Sequence, residues 1–219
     1  MSGEWTPSLE ALRLYAGQGL GVRLHTRIRA LTCPMQVLVA RAPVEGRLLE
    51  VGCGHGLFAN ECALRHPRLH VLGLDPAPEK IRAAASTVGS RPNVRFLEGR
   101  VETAGESGLD CVAVLDVLYL VPRAGWGAFL AACRAALRPG GLLLLKEVDV
   151  RPRWKFYRCV AQETLSVRLL GLTLGSGFAF AGRAEMREAL AAAGFRDVAI
   201  TDLGRGSLTP HVLYEAVAA

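Results

Sequence analysis

The feature that most constrains this chain is an apolar run that ends in an acid and enters three alternate glycines, LLEVGCGHG at residues 48–56. The apolar part predicts a buried β-strand, and residues 57–64 predict a helix directly after it. A strand, a glycine turn and a helix form the nucleotide-binding corner of parallel α/β sheets, where glycine lets a ligand approach the backbone closely. The segment therefore predicts an α/β fold with a cofactor at this corner.

The spacing of the glycines separates two kinds of cofactor site. Dinucleotide sites use G-x-G-x-x-G with the pyrophosphate on the helix N-terminus, whereas Gly56 here comes one residue early. Glu50, two residues before Gly52, would repel a pyrophosphate. The carboxylate suits a ligand group that is cationic or donates hydrogen bonds, as an amino-acid ammonium does. The motif therefore favours a cofactor that carries such a group.

The rest of the chain alternates apolar runs with stretches of helical spacing. Further strands are predicted at residues 71–75, 93–99, 110–116 and 139–147, the last after a Pro-Gly-Gly turn, and at 198–202 and 212–217. This alternation predicts a parallel sheet with helices on both faces. Asp75 ends the second strand, where a carboxylate can accept hydrogen bonds from both ribose hydroxyls of a nucleotide-like ligand.

The ordered series of motifs resembles the class I S-adenosylmethionine-dependent methyltransferases, and within them a group of bacterial small-molecule and lipid-pathway enzymes. The resemblance spans residues 46–219. It implies a Rossmann-like, seven-stranded, mostly parallel sheet with a C-terminal antiparallel hairpin. It also implies an N-terminal helical extension or lid at residues 1–45 and a substrate-covering insertion at about 151–182. The expected cofactor is S-adenosylmethionine, with S-adenosylhomocysteine as the product.

The resemblance also implies which residues bind the cofactor. The glycine turn and Glu50 would hold its methionyl and ribose parts, Tyr15 would lie over the sulfonium from an N-terminal helix, and Asp116 would face the ammonium or the acceptor. The full set is Tyr15, Glu50, Gly52, Cys53, Gly54, Gly56, Asp75, Pro76, Arg100, Val101, Asp116 and Val117.

One position departs from the family pattern. Many relatives carry an aspartate after the third strand, which meets the adenine amino group, and this chain has Arg100 there. A guanidinium cannot accept that hydrogen bond. The backbone of Arg100 and Val101, or the carboxylate of Glu102, would have to replace it. The same departure motivates an alternative function, a non-catalytic binding protein with a methyltransferase fold.

The predicted reaction is in-line displacement of the methyl group onto a hydrophobic small molecule or a lipid-like acceptor. Residues 165–182 are apolar and glycine-rich and would cover the acceptor, unless they form an ordinary core helix and its turn. His211 is the candidate general base because imidazole titrates near neutrality, unless it makes a structural hydrogen bond in the last strand. Tyr119 and Glu147 would orient the acceptor, while His55 is expected to point to solvent.

Composition agrees with one enzyme domain. The chain has 219 residues, of which 51% are hydrophobic and 21% charged, which favours a globular core over disorder. No signal peptide or membrane-spanning run is apparent. Six cysteines lack metal-ligand spacing, so we expect free thiols in a reducing cytoplasm and no metal site.

The net charge of +6 is concentrated in two places, around residues 23–41 and around residues 151–158. Both interleave basic with apolar or aromatic side chains. Three interpretations remain: solvated helix faces, a peripheral surface on anionic lipid at the inner membrane, or a nucleic-acid surface. The segment 116–119 lacks the Asn/Asp-Pro-Pro-Tyr run of enzymes that methylate base amino groups, so we do not expect nucleic acid as a partner.

The sequence leaves several questions open. An NAD(P)-dependent oxidoreductase is a further alternative, which the glycine spacing and Glu50 disfavour. The oligomeric state, the acceptor and the methylated atom are not indicated by any motif.

Overall fold

The computed structural model describes residues 9–158, 178–204 and 207–219. The helices are α1 (Leu9–Arg13), α2 (Leu20–Thr32), α3 (Met35–Arg41), α4 (Leu57–Arg65), α5 (Pro78–Ala85), α6 (Trp126–Ala136) and α7 (Arg183–Ala192). The strands are β1 (Glu45–Val51), β2 (Arg68–Asp75), β3 (Val94–Glu98), β4 (Leu109–Leu115), β5 (Leu137–Val148), β6 (Phe195–Asp202) and β7 (His211–Ala218).

The strands form one seven-stranded sheet in the order β3-β2-β1-β4-β5-β7-β6. The first five in this order pair in parallel, while β7 pairs antiparallel with both β5 and β6. The predicted mostly parallel sheet with a C-terminal antiparallel hairpin is therefore confirmed. Strands β2 and β3 are added on one side of β1, and β4 and β5 are added on its other side. Open α/β sheets bind ligands where the strand order changes in this way, at the carboxyl ends of the strands, which here is between β1 and β4.

Two apolar cores lie on the two faces of the sheet because successive strand residues point to opposite sides. Leu48 joins the core formed with α1 to α5, whereas its neighbour Leu49 joins the core formed with α6 and α7. Val112 and Ala113 of β4 divide in the same way. This double burial explains why the strands read as continuous apolar runs, and it confirms helices on both faces.

The Pro-Gly-Gly segment was expected to be a turn before the fifth strand, and that prediction is wrong. Residues 139–141 lie inside β5, where the register with β4 shifts between Leu109 and Cys111. Gly140 has φ +74°, so the glycine allows an irregularity of the strand rather than a reversal of the chain.

The N-terminal helices pack on the same face as the helix after the glycine turn. Buried side chains of α1 and α3 share a core with Leu57 and Phe58 of α4. Of the predicted insertion, residues 153–158 are helical and residues 178–182 are extended or irregular. The predicted cover at residues 165–177 lies outside the described residues. Among the helices that are described, none combines the length and the apolar character needed to cross a membrane.

Candidate cofactor and active site

The three glycines of the turn have left-handed backbones, and each meets different surroundings. Gly52 and Gly56 have φ +71° and +78°. A Cβ on Gly52 would lie 2.4 Å from Val117 Cγ2, and one on Gly56 would lie 2.5 Å from the Phe96 ring. Gly54, at φ +55°, has no heavy atom within 4 Å of such a Cβ. Two glycines therefore permit close packing inside the protein, and the middle one leaves open space for a ligand.

Glu50 lies beneath this turn with its side chain buried. Its Oε2 accepts the N–H of Ala59 at 3.0 Å, one of the unpaired amides in the first turn of α4. Burial, with a smaller contribution from the charge of Asp75, raises the pKa of Glu50 to about 8 against the opposing effects of Arg29 and the Ala59 amide. The carboxylate thus fixes the start of α4, a role that its sequence position did not reveal.

Asp75 ends β2 as predicted and lies against the glycine turn. Its two carboxylate oxygens accept the N–H groups of Gly54 at 2.9 Å and Ala77 at 3.0 Å. The side chain is buried, while Pro76 beside it is exposed. Asp75 therefore joins the open glycine to the tip of β2, which is the position that the ribose prediction requires.

Cys53 completes the turn from its buried side. Its N–H donates to the Leu74 carbonyl at 2.8 Å, which continues the link between β1 and β2. Burial raises the pKa of the thiol well above its usual value. The small Cys53 side chain packs next to Gly73, and a Cβ added to Gly73 would lie 2.9 Å from Cys53 Sγ.

Tyr15 was predicted to lie in an N-terminal helix, and that placement is wrong. Helix α1 ends at Arg13, and Tyr15 lies in the turn that leads to α2. Its hydroxyl donates to the His55 carbonyl at 2.7 Å and accepts the Asn60 amide at 2.9 Å. Burial raises the pKa of this hydroxyl. Tyr15 therefore supports the glycine turn, while its contact with a sulfonium stays a prediction.

His55 was expected to point to solvent, and it instead meets α2. Its Nδ1 lies 3.2 Å from Nδ1 of His25, with the rings in an edge-to-face arrangement. Partial burial lowers the pKa of His55. The contact holds when one ring carries the Nδ1 proton and the other accepts it.

On the other side of the sheet edge, a charged cluster surrounds Asp116, which follows β4 at φ +61°. Lys146 Nζ, fully buried, lies 2.5 and 2.7 Å from the two carboxylate oxygens. Arg29 of α2 donates to the same carboxylate at 2.7 Å and to the Leu115 carbonyl at 3.1 Å. Burial alone would raise the pKa of Asp116, but the two cations hold it well below its usual range. Asp116 thus has two cationic partners within the protein.

Neither cation was assigned to the site from the sequence. The sequence pattern places Arg29 in a basic surface and indicates no role for Lys146. A lysine inside an apolar strand was nevertheless a usable signal, because a fully buried lysine needs a paired charge.

Glu147, the next residue of β5, holds the segment after β4. Its Oε1 accepts the N–H groups of Val117 at 3.3 Å and Leu118 at 2.9 Å. Burial and then the charge of Asp116 raise the pKa of Glu147 to about 8, against the opposing hydrogen bonds and Lys146. The carboxyl group thus fixes the backbone that carries Tyr119.

Tyr119 lies in a short 3₁₀ turn, Leu118–Leu120, at the edge of an aromatic cluster. Its ring stacks on Phe180 with centroids 5.1 Å apart, and Phe178 lies 5.8 Å away. Phe156 meets Phe180 edge to face at 4.9 Å. The Ala179 N–H donates to the Tyr119 carbonyl at 2.8 Å. The two described ends of the predicted insertion therefore form an aromatic wall beside the segment after β4.

His211 begins β7 and is buried. Its Nε2 donates to the Thr32 carbonyl at the end of α2, at 2.7 Å. Burial and the nearby Lys146 ammonium lower the pKa of His211 to about 3. The imidazole is therefore neutral and weakly basic, and its observed contact joins α2 to β7.

The segment after β3 carries the unusual residues of the predicted adenine site. Arg100 is exposed and Val101 is buried. The Gly99 N–H donates to the Asp75 carbonyl at 3.2 Å. The backbone here is thus tied to the tip of β2, next to the proposed ribose position.

These residues fit a nucleoside cofactor with a cationic amino-acid part. The open space at Gly54 admits a ligand against the backbone, and Asp75 lies beside it. Glu50, buried under the same turn, takes up the Ala59 amide at the start of α4, one of the helix N-terminal amides that a pyrophosphate would need.

Comparison with known proteins points the same way. A family model described as a methyltransferase domain matches residues 23–200. A ubiquinone biosynthesis O-methyltransferase of Cereibacter sphaeroides (strain ATCC 17029 / ATH 2.4.9) is 35% identical over 122 residues, covering 53% of this chain and 47% of that protein. The chain thus spans about half the length of the curated relatives it matches.

Two solved structures extend the comparison. The S-adenosylmethionine-dependent methyltransferase SibL, in its apo form, is 25% identical with a TM-score of 0.71, over 94% of this chain and 61% of that one. Human N-acetylserotonin methyltransferase in complex with S-adenosylmethionine is 18% identical with a TM-score of 0.68, over 97% and 60%. The second likeness is one of fold.

Proposed function

This chain belongs to the methyltransferase domain family, as a class I S-adenosylmethionine-dependent member, and from that premise we propose that it methylates a hydrophobic small molecule or a lipid-like acceptor. The observation that carries the proposal is the pairing of two features at one sheet edge. The open glycine turn with Asp75 suits the cofactor, and the aromatic wall at Tyr119 suits an apolar acceptor.

The residues that would hold the cofactor divide by the part they serve. Gly54 and Asp75 would contact the ribose side, and the backbone of Arg100 and Val101 would face the adenine. Gly52, Gly56, Cys53 and Val117 act by shaping the turn, since they pack on one another or on the core. When bound, S-adenosylmethionine supplies an electrophilic methyl group, and the protein needs to orient the acceptor and exclude water.

Tyr119 is the residue that we propose contacts the acceptor. Glu147 would act through it, because its carboxyl group holds the backbone amides that precede Tyr119. We propose that His211 positions α2 against β7, since its Nε2 is bonded to the Thr32 carbonyl. The similarity to a ubiquinone biosynthesis O-methyltransferase favours an oxygen atom as the methyl acceptor.

The compartment and partners form a second part of the proposal. We propose a cytoplasmic enzyme, supported by five described cysteines that are buried free thiols. For a lipid-like acceptor, the proposal includes peripheral contact with an anionic membrane surface, supported by the exposed apolar and basic residues of α2.

Isothermal titration with S-adenosylhomocysteine and with NAD(P)H tests the cofactor assignment. We expect micromolar binding of the first and no heat from the second. Asp75→Ala should weaken S-adenosylhomocysteine binding by about tenfold to a hundredfold, the effect of losing hydrogen bonds to a charged group. Asp110→Ala, at the opposite ends of the strands, is the control and should bind normally. Silence of the wild-type protein toward both ligands would favour the non-catalytic alternative.

Methyl transfer itself needs a separate measurement. Release of S-adenosylhomocysteine in the presence of phenolic and lipid-like acceptors should fall strongly in Tyr119→Ala, while S-adenosylhomocysteine affinity stays within a few-fold of wild type. Equal loss of both would show that Tyr119 serves the cofactor and would contradict its assignment to the acceptor.

A further inference from the structure

Helix α2 exposes its large apolar side chains and buries its small ones. The residues that it buries are Thr26 and Ala30. Its three leucines and its isoleucine, Leu20, Leu24, Leu31 and Ile28, have exposed fractions of 78%, 56%, 69% and 48%, and the smaller Val22 is partly buried against the core. This reverses the usual arrangement of a surface helix, whose apolar side faces the core. The outward side of α2 is therefore built to contact something other than the described core.

The four side chains form one continuous stripe. Their spacing of four, four and three residues places them within about 80° of arc on a helix of 3.6 residues per turn, over about 16 Å of length. We refer to Leu20, Leu24, Ile28 and Leu31 as the α2 stripe. Exposed aliphatic residues that are scattered singly need no explanation, but a stripe along one helix marks an interaction surface.

The charges beside the α2 stripe indicate its partner. Arg23 and Arg27 border it along one side, and α2 contains no aspartate or glutamate. Within the described residues, neither arginine takes part in an ion pair, whereas Arg29 on the inward side is held by Asp116. In a symmetric pair of α2 helices, arginines would meet arginines with no acid from the helix to receive them. The charge pattern instead complements an anionic surface.

A second exposed group is linked to the end of α2 through a series of hydrogen bonds. Trp154 and Tyr157 are 60% and 62% exposed, and Lys155 between them donates to the Gly204 carbonyl at 2.9 Å. The adjoining Leu203 N–H donates to His211, whose ring holds the last residue of α2. Exposed tryptophan and tyrosine beside basic residues are typical of proteins that rest at a bilayer interface.

We propose that the α2 stripe, flanked by Arg23 and Arg27, docks this protein on the surface of an anionic phospholipid bilayer. The aliphatic residues enter the interfacial region of one leaflet, and the two arginines meet lipid phosphates. The inference identifies the surface for the membrane contact in the proposed function and rests on that function only for the identity of the acceptor. Because Arg29 joins the inward side of α2 to Asp116, docking places the active edge next to the lipid.

Vesicle flotation tests the proposal with phosphatidylcholine vesicles that contain or lack phosphatidylglycerol. We expect the wild-type protein to float with the anionic vesicles, less so at high salt, and to stay behind with the neutral ones. Leu24→Gln with Ile28→Gln should lower the partition coefficient about tenfold or more. Arg23→Gln with Arg27→Gln should lower it by about tenfold to thirtyfold and remove most of the salt dependence.

Leu97→Gln is the matched control, because Leu97 is an exposed aliphatic residue on β3 at the far edge of the sheet. It should float like the wild type. All variants are first compared by thermal unfolding, so that a partition change is read only from folded protein. Equal flotation of the stripe variant and the wild type, or flotation on neutral vesicles, would overturn the proposal.

Two further outcomes separate this inference from its alternatives. If light scattering shows a wild-type dimer that Leu24→Gln with Ile28→Gln converts to a monomer, the α2 stripe is a self-interface and the membrane proposal is wrong. S-adenosylhomocysteine titration without vesicles reports on the proposed function independently. Its failure would leave the flotation result standing, and failed flotation would leave the methyltransferase proposal standing.

Discussion

The two halves of the active edge are built from different kinds of interaction. Around the ends of β1 and β2, backbone groups dominate: left-handed glycines, their amides, and carboxylates that accept N–H bonds within residues 50–77. Around the ends of β4 and β5, side-chain charges dominate, and Arg29, Asp116 and Lys146 come from three distant parts of the chain. The first half is sensitive to changes of shape and the second to changes of charge.

This difference matches the tasks that we propose for the two halves. A cofactor that a whole family shares has a constant shape, so a fixed backbone conformation is sufficient to bind it. In our proposal the segment after β4 faces the acceptor, and the position of this segment depends on Glu147 and on the ion pairs beside it. Three sets of variants test this difference, and they follow in order of expected effect.

The largest effect is expected from Asp116→Asn. Asparagine tolerates the left-handed backbone of this position, so the change removes charge and little else. It leaves the fully buried Lys146 ammonium without its counter-ion. We expect the free energy of unfolding to fall by about 3–5 kcal/mol in urea denaturation. Lys146→Met in the same chain should recover much of that loss, because it removes the fully buried ammonium and leaves only Arg29, whose side chain is 29% exposed, without the carboxylate. A loss below about 1 kcal/mol in the single variant would contradict a charge-dependent half.

An intermediate effect is expected from Gly56→Ala compared with Gly54→Ala. Both glycines have positive φ, so the two variants share a backbone strain of about 1–2 kcal/mol. Only Gly56→Ala also forces a Cβ against the Phe96 ring, and we expect it to lose about 1–3 kcal/mol more. Gly54→Ala should instead lose S-adenosylhomocysteine affinity, since its Cβ occupies the open space. Thermal unfolding and calorimetry report the two losses separately, and equal profiles would refute the assignment of Gly54 to the ligand.

The smallest effect is a change in pH dependence. The pKa of Glu147 is raised by burial to about 8, so the folded protein keeps this proton to higher pH than the unfolded chain does. Its contribution to stability is therefore complete below about pH 4 and is lost as the pH rises toward 8. Glu147→Gln keeps an oxygen for the Leu118 amide and removes the titration. Unfolding curves between these pH values should show a slope reduced by up to about 1.4 kcal/mol per pH unit.

Glu50 provides the comparison for that measurement, because burial raises its pKa to about 8 as well. The stability of the Glu147→Gln variant should therefore still decline as the pH rises, and adding Glu50→Gln should remove that remaining decline. A pH dependence unchanged by Glu147→Gln would show that this carboxyl group ionises in the folded state as it does in the unfolded chain.

The same contrast explains what could be predicted from the sequence. The glycine turn, Glu50 and Asp75 lie within one strand-turn-helix-strand unit, so their local pattern was enough to predict the fold and the kind of cofactor, and the proposed cofactor position follows from the same pattern. The strand positions followed from apolar runs buried on both faces. The Pro-Gly-Gly segment misled because φ > 0 at a glycine serves a strand irregularity as well as a turn.

The charged half could not be predicted in the same way. Arg29 and Asp116 are 87 residues apart, and no local spacing indicates that α2 crosses the sheet edge at the end of β4. The His25–His55 contact and the link from Tyr15 to Asn60 likewise depend on how the N-terminal segment packs. Only Lys146, within the apolar run of β5, indicates this cluster from the local sequence, because a buried ammonium needs an anionic partner.

The two hydrogen bonds that Glu147 accepts from the segment after β4 have a consequence for how such an enzyme can diversify. Because that segment is anchored through its amides, the side chains on it are free to vary without loss of the chain path. If Tyr119 and its partners Phe178 and Phe180 line the acceptor site as we propose, we expect that they can be exchanged for residues of other sizes while the protein still binds the methyl donor. The range of acceptors and the affinity for the methyl donor could then change independently by mutation. Directed evolution for new acceptors should begin at these three aromatic positions.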